Sequence, residues 1–301
     1  MTGLYACIGM GWIATRKLEL PREGISRVLF HLIVPLMFLQ GVSRVEMQGT
    51  LLFLPLVVMA MSCLLALFGY ALARQLWRDP AEKAPQIIGF TAGNGNMGYF
   101  GIPVAMMIFD QATVGIYMMM IIGVIFYEAT LGYVIVTHGQ FSPRQALQKI
   151  ATMPMLYGAL IGVLLAITGW RLPAFTDDFF AAIRGTYSVL GMMMVGMGMA
   201  GLHHFAIDMK FVSVTFVFKF ICWPLMAAGF VWLDTQWLHW YTDTLHDALM
   251  LLSLAPLAVM SVVFASLFNA HPEKMATAVF LSTCFALVYV PLMVGWLGLG
   301  G

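Results

Sequence analysis

Along this chain, long apolar runs alternate with short polar or proline-containing links. Ten apolar segments can be marked, at about residues 2–15, 24–43, 49–77, 86–109, 112–138, 153–170, 180–202, 209–233, 244–269 and 274–299. A helix needs about 20 apolar residues to cross a bilayer, and most of these segments reach that length. The links are too short to hold a soluble domain. The pattern predicts an all-α integral membrane protein of ten transmembrane helices. The first apolar run, Thr2 to Ala14, is short, which implies either a start site inside the first helix or a short first helix. It is not read as a signal peptide, because its charges follow the apolar run instead of preceding it. The polar, amphipathic stretch Ser142 to Thr152 is expected to lie along the membrane surface between two halves of five spans, 1–152 and 153–301.

Lys and Arg set the orientation. With both ends of a ten-span chain outside, the inner links hold Arg16, Lys17, Arg22, Arg27, Arg74, Arg78, Lys83, Arg144, Lys149, Lys210 and Lys274. The outer links hold only Arg44, Arg171 and Arg184, and Lys219 is left inside a span. A multi-pass protein of a bacterial inner membrane is the expected setting.

The halves are related. Leu4 to Pro21 (LYACIGMGWIATRKLELP) aligns without gaps on Leu156 to Pro173 (LYGALIGVLLAITGWRLP), and Pro103 then maps to Pro256. Five spans per half is an odd number, so the repeats are inverted. Interrupted helices at matching positions of inverted repeats point to a secondary transporter's binding site. The fourth segment carries helix breakers at its centre, in TAGNGNMGYFGIPV, Thr91 to Val104. Irregular backbone is tolerated in a bilayer only where protein buries it or it lines a wet cavity. Asn94, Gly95, Asn96 and Pro103, opposed by Ser253, Pro256 and Ser261 of the ninth segment, are the candidate substrate residues, together with Lys219. The alternative is that these glycines serve close helix packing. Crossed, broken helices 4 and 9 are the architecture expected.

The composition of the 301 residues agrees: 61% are hydrophobic and 10% charged, against about 25% charged in soluble domains. The net charge of +1, with no basic, aromatic-interleaved patch, gives no reason to expect nucleic acid. Cys7, Cys63, Cys222 and Cys284 are scattered in apolar runs, so no metal site, disulfide framework or cofactor is expected. The 25 methionines are read as adaptable packing between moving parts, with soft-metal binding as the other reading. His203, His204, His239 and His246 fall at segment ends and suggest no metal cluster. His31 either handles a proton or bonds neighbouring backbone. Lys219 and Glu128 come out at similar depths, about 14 and 15 Å at 1.5 Å per residue. They are expected to pair, or else Lys219 snorkels and Glu128 is protonated or wet. Glu128 and His31 are the coupling candidates.

Four passages resemble the auxin efflux carrier family of secondary transporters, within the bile/arsenite/riboflavin transporter superfamily. They are GNGNMGYFGIPVAM, ISRVLFHLIVPLMFLQGV with Pro35, FVFKFICWPLMA with Lys219 and Pro224, and the run from Ala255 through Ser282-Thr283 to Pro291. The resemblance covers about residues 4 to 297. It implies a scaffold of helices 1, 2, 6 and 7 and a transport part of helices 3–5 and 8–10 around the crossed pair. It implies a small organic anion as substrate, an auxin-like acid or a dicarboxylate. The sodium-coupled branch of the superfamily uses acidic ligands at the crossover. No carboxylate lies between Asp247 and Glu273, so a proton is favoured over sodium as coupling ion. A homodimer is kept open.

The expected function is therefore alternating-access secondary transport of a small organic anion. A channel for ions or solutes is the first alternative. An intramembrane enzyme is the second, and it lacks paired Asp residues or an HExxH motif in its spans.

Overall fold

The computed structural model describes residues 2–79, 81–137, 144, 148, 150–200 and 206–300, and every regular element among them is helical. In chain order they are α1 (Thr2–Leu18), α2 (Arg22–Ser43), α3 (Gly49–Leu76), α4 (Ala84–Ala92), α5 (Ile102–Ile108, entered through a π turn at Met97–Gly101) and α6 (Gln111–Val136). Then follow α7 (Pro154–Thr168), α8 (Ala174–Ala200), α9 (Met209–Leu238), α10 (Asp243–Leu254), α11 (Val259–Leu267) and α12 (Pro272–Leu297). The stretch Ser142–Thr152 falls largely outside the described residues, as do His203 and His204.

Each of the ten apolar segments coincides with a helix or a pair of helices. Length and composition, however, qualify fewer as spans than the ten expected. The helices α2, α3, α6, α8, α9 and α12 are each long and apolar enough, and α10 with α11, bent by 48°, makes a seventh. The rest fall short for visible reasons: α1 has 17 residues, α7 has 15, and the fourth segment is broken.

Two sets of helix contacts stand out, and α2 packing on α6 joins them. In one, α1 lies against α8 and α2 against α7. Small residues let these backbones approach closely. A Cβ on Gly11 would overlap the Met193 carbonyl, and one on Gly158 would overlap the carbonyl of Pro35. In the other group, α3 packs on α4 and α6, α6 on α10, and α9 on α10 and α12, with α11 on α12. Phe90 of α4 stacks on Phe264 of α11 with ring centroids 4.5 Å apart.

Three prolines shape the helices by one mechanism. Pro35, Pro103 and Pro224 each follow, by two residues, a π turn at Leu29–Ile33, Met97–Gly101 and Phe218–Cys222. Proline lacks the N–H that would close the turn, and its ring displaces the carbonyl four residues earlier. The turn widens in response. Before Pro224 that carbonyl belongs to Phe220, and the Tyr289 hydroxyl donates to it at 3.3 Å.

Polar contacts tie the second group together at one end. Lys274 donates to Asp208 at 2.9 Å, Lys83 to the Phe268 carbonyl at 3.0 Å and Lys210 to the Leu76 carbonyl at 2.6 Å, while His271 pairs with Glu82. Lys274, with the Phe211 and Lys210 amides, holds the Asp208 carboxyl below its ordinary value of 3.8, against a smaller opposing effect of burial. A carboxyl lowered on folding stabilises the protein above its unfolded value, and that contribution is lost as the pH falls through the folded value. Asp208→Asn should therefore flatten the acid limb of stability, read as thermal unfolding between about pH 5 and 2. An acid limb as steep as the parent's contradicts this role. Toward the other end, Asp234 accepts from the Trp240 and Tyr241 amides and lies 2.9 Å from His246 Nε2, closing the turn between α9 and α10.

Candidate functional site

Helix α4 stops at Ala92, and the chain is unwound from Gly93 to Asn96. The ends of the break are held from outside. The Tyr127 hydroxyl of α6 donates to the Phe90 carbonyl at 2.8 Å and is 3.3 Å from that of Gly89, taking up carbonyls that a helix end leaves orphaned. Gly93 fits against the Ser62 carbonyl and the Tyr127 ring, where a Cβ would come within 2.5 Å of both. Asn96, at φ −77° and ψ 54°, forms a tight turn in which the Met97 amide donates to the Gly95 carbonyl at 2.8 Å.

The second break faces the first. Helix α10 ends at Leu254, and residues Ala255 to Ala258 run extended before α11. The Asn96 amide donates to the Pro256 carbonyl at 2.8 Å, so the two interruptions are bonded to each other. On the far side, the Leu257 amide donates to Ser282 Oγ at 3.2 Å. Local sequence explains both ends. Gly93 and Gly95 remove side chains where backbones meet, and Pro256 cannot supply an amide to a helix.

Around this junction, buried polar side chains lack partners among the described residues. They are Nδ2 and Oδ1 of Asn94, Nδ2 of Asn96, Nζ of Lys219, and Oγ of Ser62 and Ser261. Asn94 and Ser261 are fully buried, and Lys219 is 1% exposed. Lys219 comes from the π turn of α9 and lies against the first break. A methyl group on Gly95 would stand 2.5 Å from its Nζ. The Trp223 ring lies below it, 5.0 Å from Nζ to centroid. Buried polar groups are almost always hydrogen-bonded, so this concentration of unmet donors needs an occupant or a conformational partner.

The structure thus brings Asn94, Gly95, Asn96, Pro256 and Lys219 together. Ser261, fully buried with its Oγ unpartnered among the described residues, stays by the junction, while the other expected residues part from them. Lys219 Nζ, expected to pair with Glu128, makes no hydrogen bond among the described residues, and Glu128 sits half-buried in a π turn of α6. Ser253 is occupied by its own helix, donating to the Met250 carbonyl at 2.6 Å. Pro103 is not in the break but near the start of α5, where it causes the π turn. His31 is exposed on α2, with Nδ1 3.1 Å from the Arg27 carbonyl. Ser62, Tyr127 and the supporting role of Ser282 carried no local signal, because each acts across helices.

One face of α8 runs past the junction with a cavity on each side. At the Arg44 end, a cavity of about 300 Å³ is lined by Gln40, Arg44, Gln111, Arg184 and Ser188 among others. At the opposite end, one of about 130 Å³ is lined by Arg22, Val195, Gly198, Val259 and Thr283 among others. Between them, a Cβ on Gly191 would lie 3.4 Å from the Tyr99 carbonyl and 3.8 Å from the Pro103 ring. Both cavities have one wall from each packing group.

Comparison with known proteins places this arrangement among transport proteins. A family described as membrane transport protein matches residues 1–143 and 140–294. An uncharacterized transporter of Methanocaldococcus jannaschii is 24% identical over 281 residues, covering 91% of this chain and 88% of that protein. An uncharacterized transporter of Methanothermobacter thermautotrophicus is 23% identical over 281 residues, with 89% and 86% covered. Auxin efflux carrier component 8 of Arabidopsis thaliana is 28% identical over 149 residues, 48% of this chain and 39% of that protein.

Proposed function

This chain belongs to the membrane transport protein family, and on that premise we propose that it is a secondary carrier of a small organic anion working by alternating access. It is a multi-pass membrane protein, and its relatives are transporters, not enzymes. In this reading the ten segments are ten spans in two inverted repeats, with both termini outside. The group α1, α2, α7 and α8 is the scaffold, and α3–α6 with α9–α12 is the moving part.

The observation that carries the substrate class is the donor-rich junction. The Lys219 ammonium offers three donors, and the Asn94 and Asn96 amides two each. A lone charge in a low-dielectric interior costs several kcal/mol. A carboxylate supplies both the counter-charge and the acceptors. The name of the Arabidopsis relative, an auxin efflux carrier component, supports an organic acid as cargo. Half-helix N-termini at the two breaks add favourable dipole ends for an anion. The cavities on either side of the junction support alternating exposure of one site. A proton is the coupling ion in this reading, with Glu128 rather than the exposed His31 as the acidic group within the moving part.

The test is uptake of labelled mono- and dicarboxylates into proteoliposomes under imposed proton or sodium gradients. Saturable carboxylate uptake driven by a proton gradient is expected. Saturable transport of a cation, with no carboxylate transported or competing, contradicts the substrate class. Conduction without saturation points to a channel instead.

A further inference from the structure

The cavity at the Arg44 end is furnished with donors and has no acid in its lining. Gln40 is 3% exposed, and its Oε1 accepts from Arg184 Nη1 at 2.6 Å. Its Nε2 is buried with no partner among the described residues. The orientation of this amide is not arbitrary. A guanidinium only donates, so the oxygen must face Arg184 and the NH2 group must point away. Arg184 has no carboxylate within ion-pair distance among the described residues, whereas Arg44 is held by Asp177 at 2.6 Å. One N–H of the five on Arg184 is thus accounted for by Gln40.

From this geometry we propose that the Arg184–Gln40 cavity is a second binding site, specific for a small carboxylate, where substrate waits before reaching the junction. The inference deepens the carboxylate-carrier reading and rests on it. A carboxylate has two oxygens and about four lone-pair sites, enough for a guanidinium and the Gln40 NH2 together. A cavity of about 300 Å³ sits at the small end of ligand pockets and suits a compact acid. The onward route is short. Arg184, Ser188 and Gly191 lie at i, i+4 and i+7 on one face of α8, a rise of about 10 Å. Gly191 is the residue that fits against Tyr99 and Pro103 at the first break.

The probe is malonate, read by its stabilisation of the purified full-length protein against heat and by proteoliposome uptake. Two variants are used. Arg184→Gln removes the charge. Gln40→Glu places a carboxylate against Arg184, filling the site from within while preserving the contact that holds it. In both, the apparent affinity for malonate should fall about tenfold or more, the loss of one charge-assisted hydrogen bond. The KM for carboxylate uptake should rise in step. Gln40→Glu without ligand should unfold no earlier than the parent. Asn94→Ala should keep the Arg184-dependent binding while losing transport. Unchanged malonate affinity and KM in both variants, or no binding of malonate by the parent, overturns the proposal. If carboxylate uptake proceeds with unchanged KM, this site falls and the carrier reading stands. If the parent moves no carboxylate but loses malonate binding through Arg184→Gln, the carrier reading falls and this site stands.

Discussion

Replacing Asn94 by alanine is expected to lower carboxylate transport by about a hundredfold or more, with no loss of stability. The combination is unusual and follows from the position of the side chain. Asn94 is fully buried, and neither polar atom of its side chain has a partner among the described residues. A hydrogen bond to a charged group is worth about 1.5–3 kcal/mol, and about 1.4 kcal/mol is tenfold. Losing one or two such bonds to a bound anion accounts for the fall. For the empty protein, removing an unsatisfied buried amide deletes a desolvation cost of about 1–3 kcal/mol, less what a small void gives back. Thermal unfolding should therefore occur at the parent's temperature or above it. Asn96→Ala should behave similarly, because the bond from its backbone amide to Pro256 does not depend on the side chain. Normal uptake by Asn94→Ala, or lost uptake traced to lost folding, would remove Asn94 from the site.

Lys219→Met is the second large effect, and it acts on ligand stabilisation. The parent buries the Lys219 amino group beside Gly95 without a hydrogen bond among the described residues. Methionine keeps the length and packing against Trp223 while removing the charge. The variant should unfold at a higher temperature without ligand. Its response to carboxylate should shrink to the part that depends on Arg184, whereas ligand at a hundred times Kd adds about 2.7 kcal/mol for each site it fills. Uptake should drop by about tenfold or more, the worth of one charge-assisted hydrogen bond. Equal ligand-induced stabilisation of parent and variant would show that Lys219 does not meet the substrate.

Much of this site was legible in the linear sequence, because backbone breaks have compositional causes. Gly93, Gly95 and Pro256 marked both interruptions, and the asparagines marked where buried amides collect. What was not legible depends on rotation about a helix axis. Equal depth suggested a Lys219–Glu128 pair, but depth says nothing of which way a helical residue faces. Lys219 instead turns to Gly95. Aligning Pro103 with Pro256 located the related segments, although Pro103 itself does not lie in the first break. A proline after a π turn leaves the helix bonded, so the chain unwinds seven residues or more earlier, at the glycines. His31 lay on a face that the pattern of Leu and Val around it could not orient. The contributions of Ser62, Tyr127 and the Arg184–Gln40 contact come from distant helices, and no local motif announces them.

The central claim is that one carboxylate site, built on the paired breaks, is exposed alternately to the two sides. Counterflow tests it most directly. Proteoliposomes are loaded with excess unlabelled carboxylate, chosen from the uptake screen, and diluted into a trace of the labelled acid with no ion gradient. The account predicts a transient accumulation of label above its equilibrium level, abolished in Asn94→Ala. Simple equilibration without an overshoot, or an overshoot undiminished in Asn94→Ala, would contradict it.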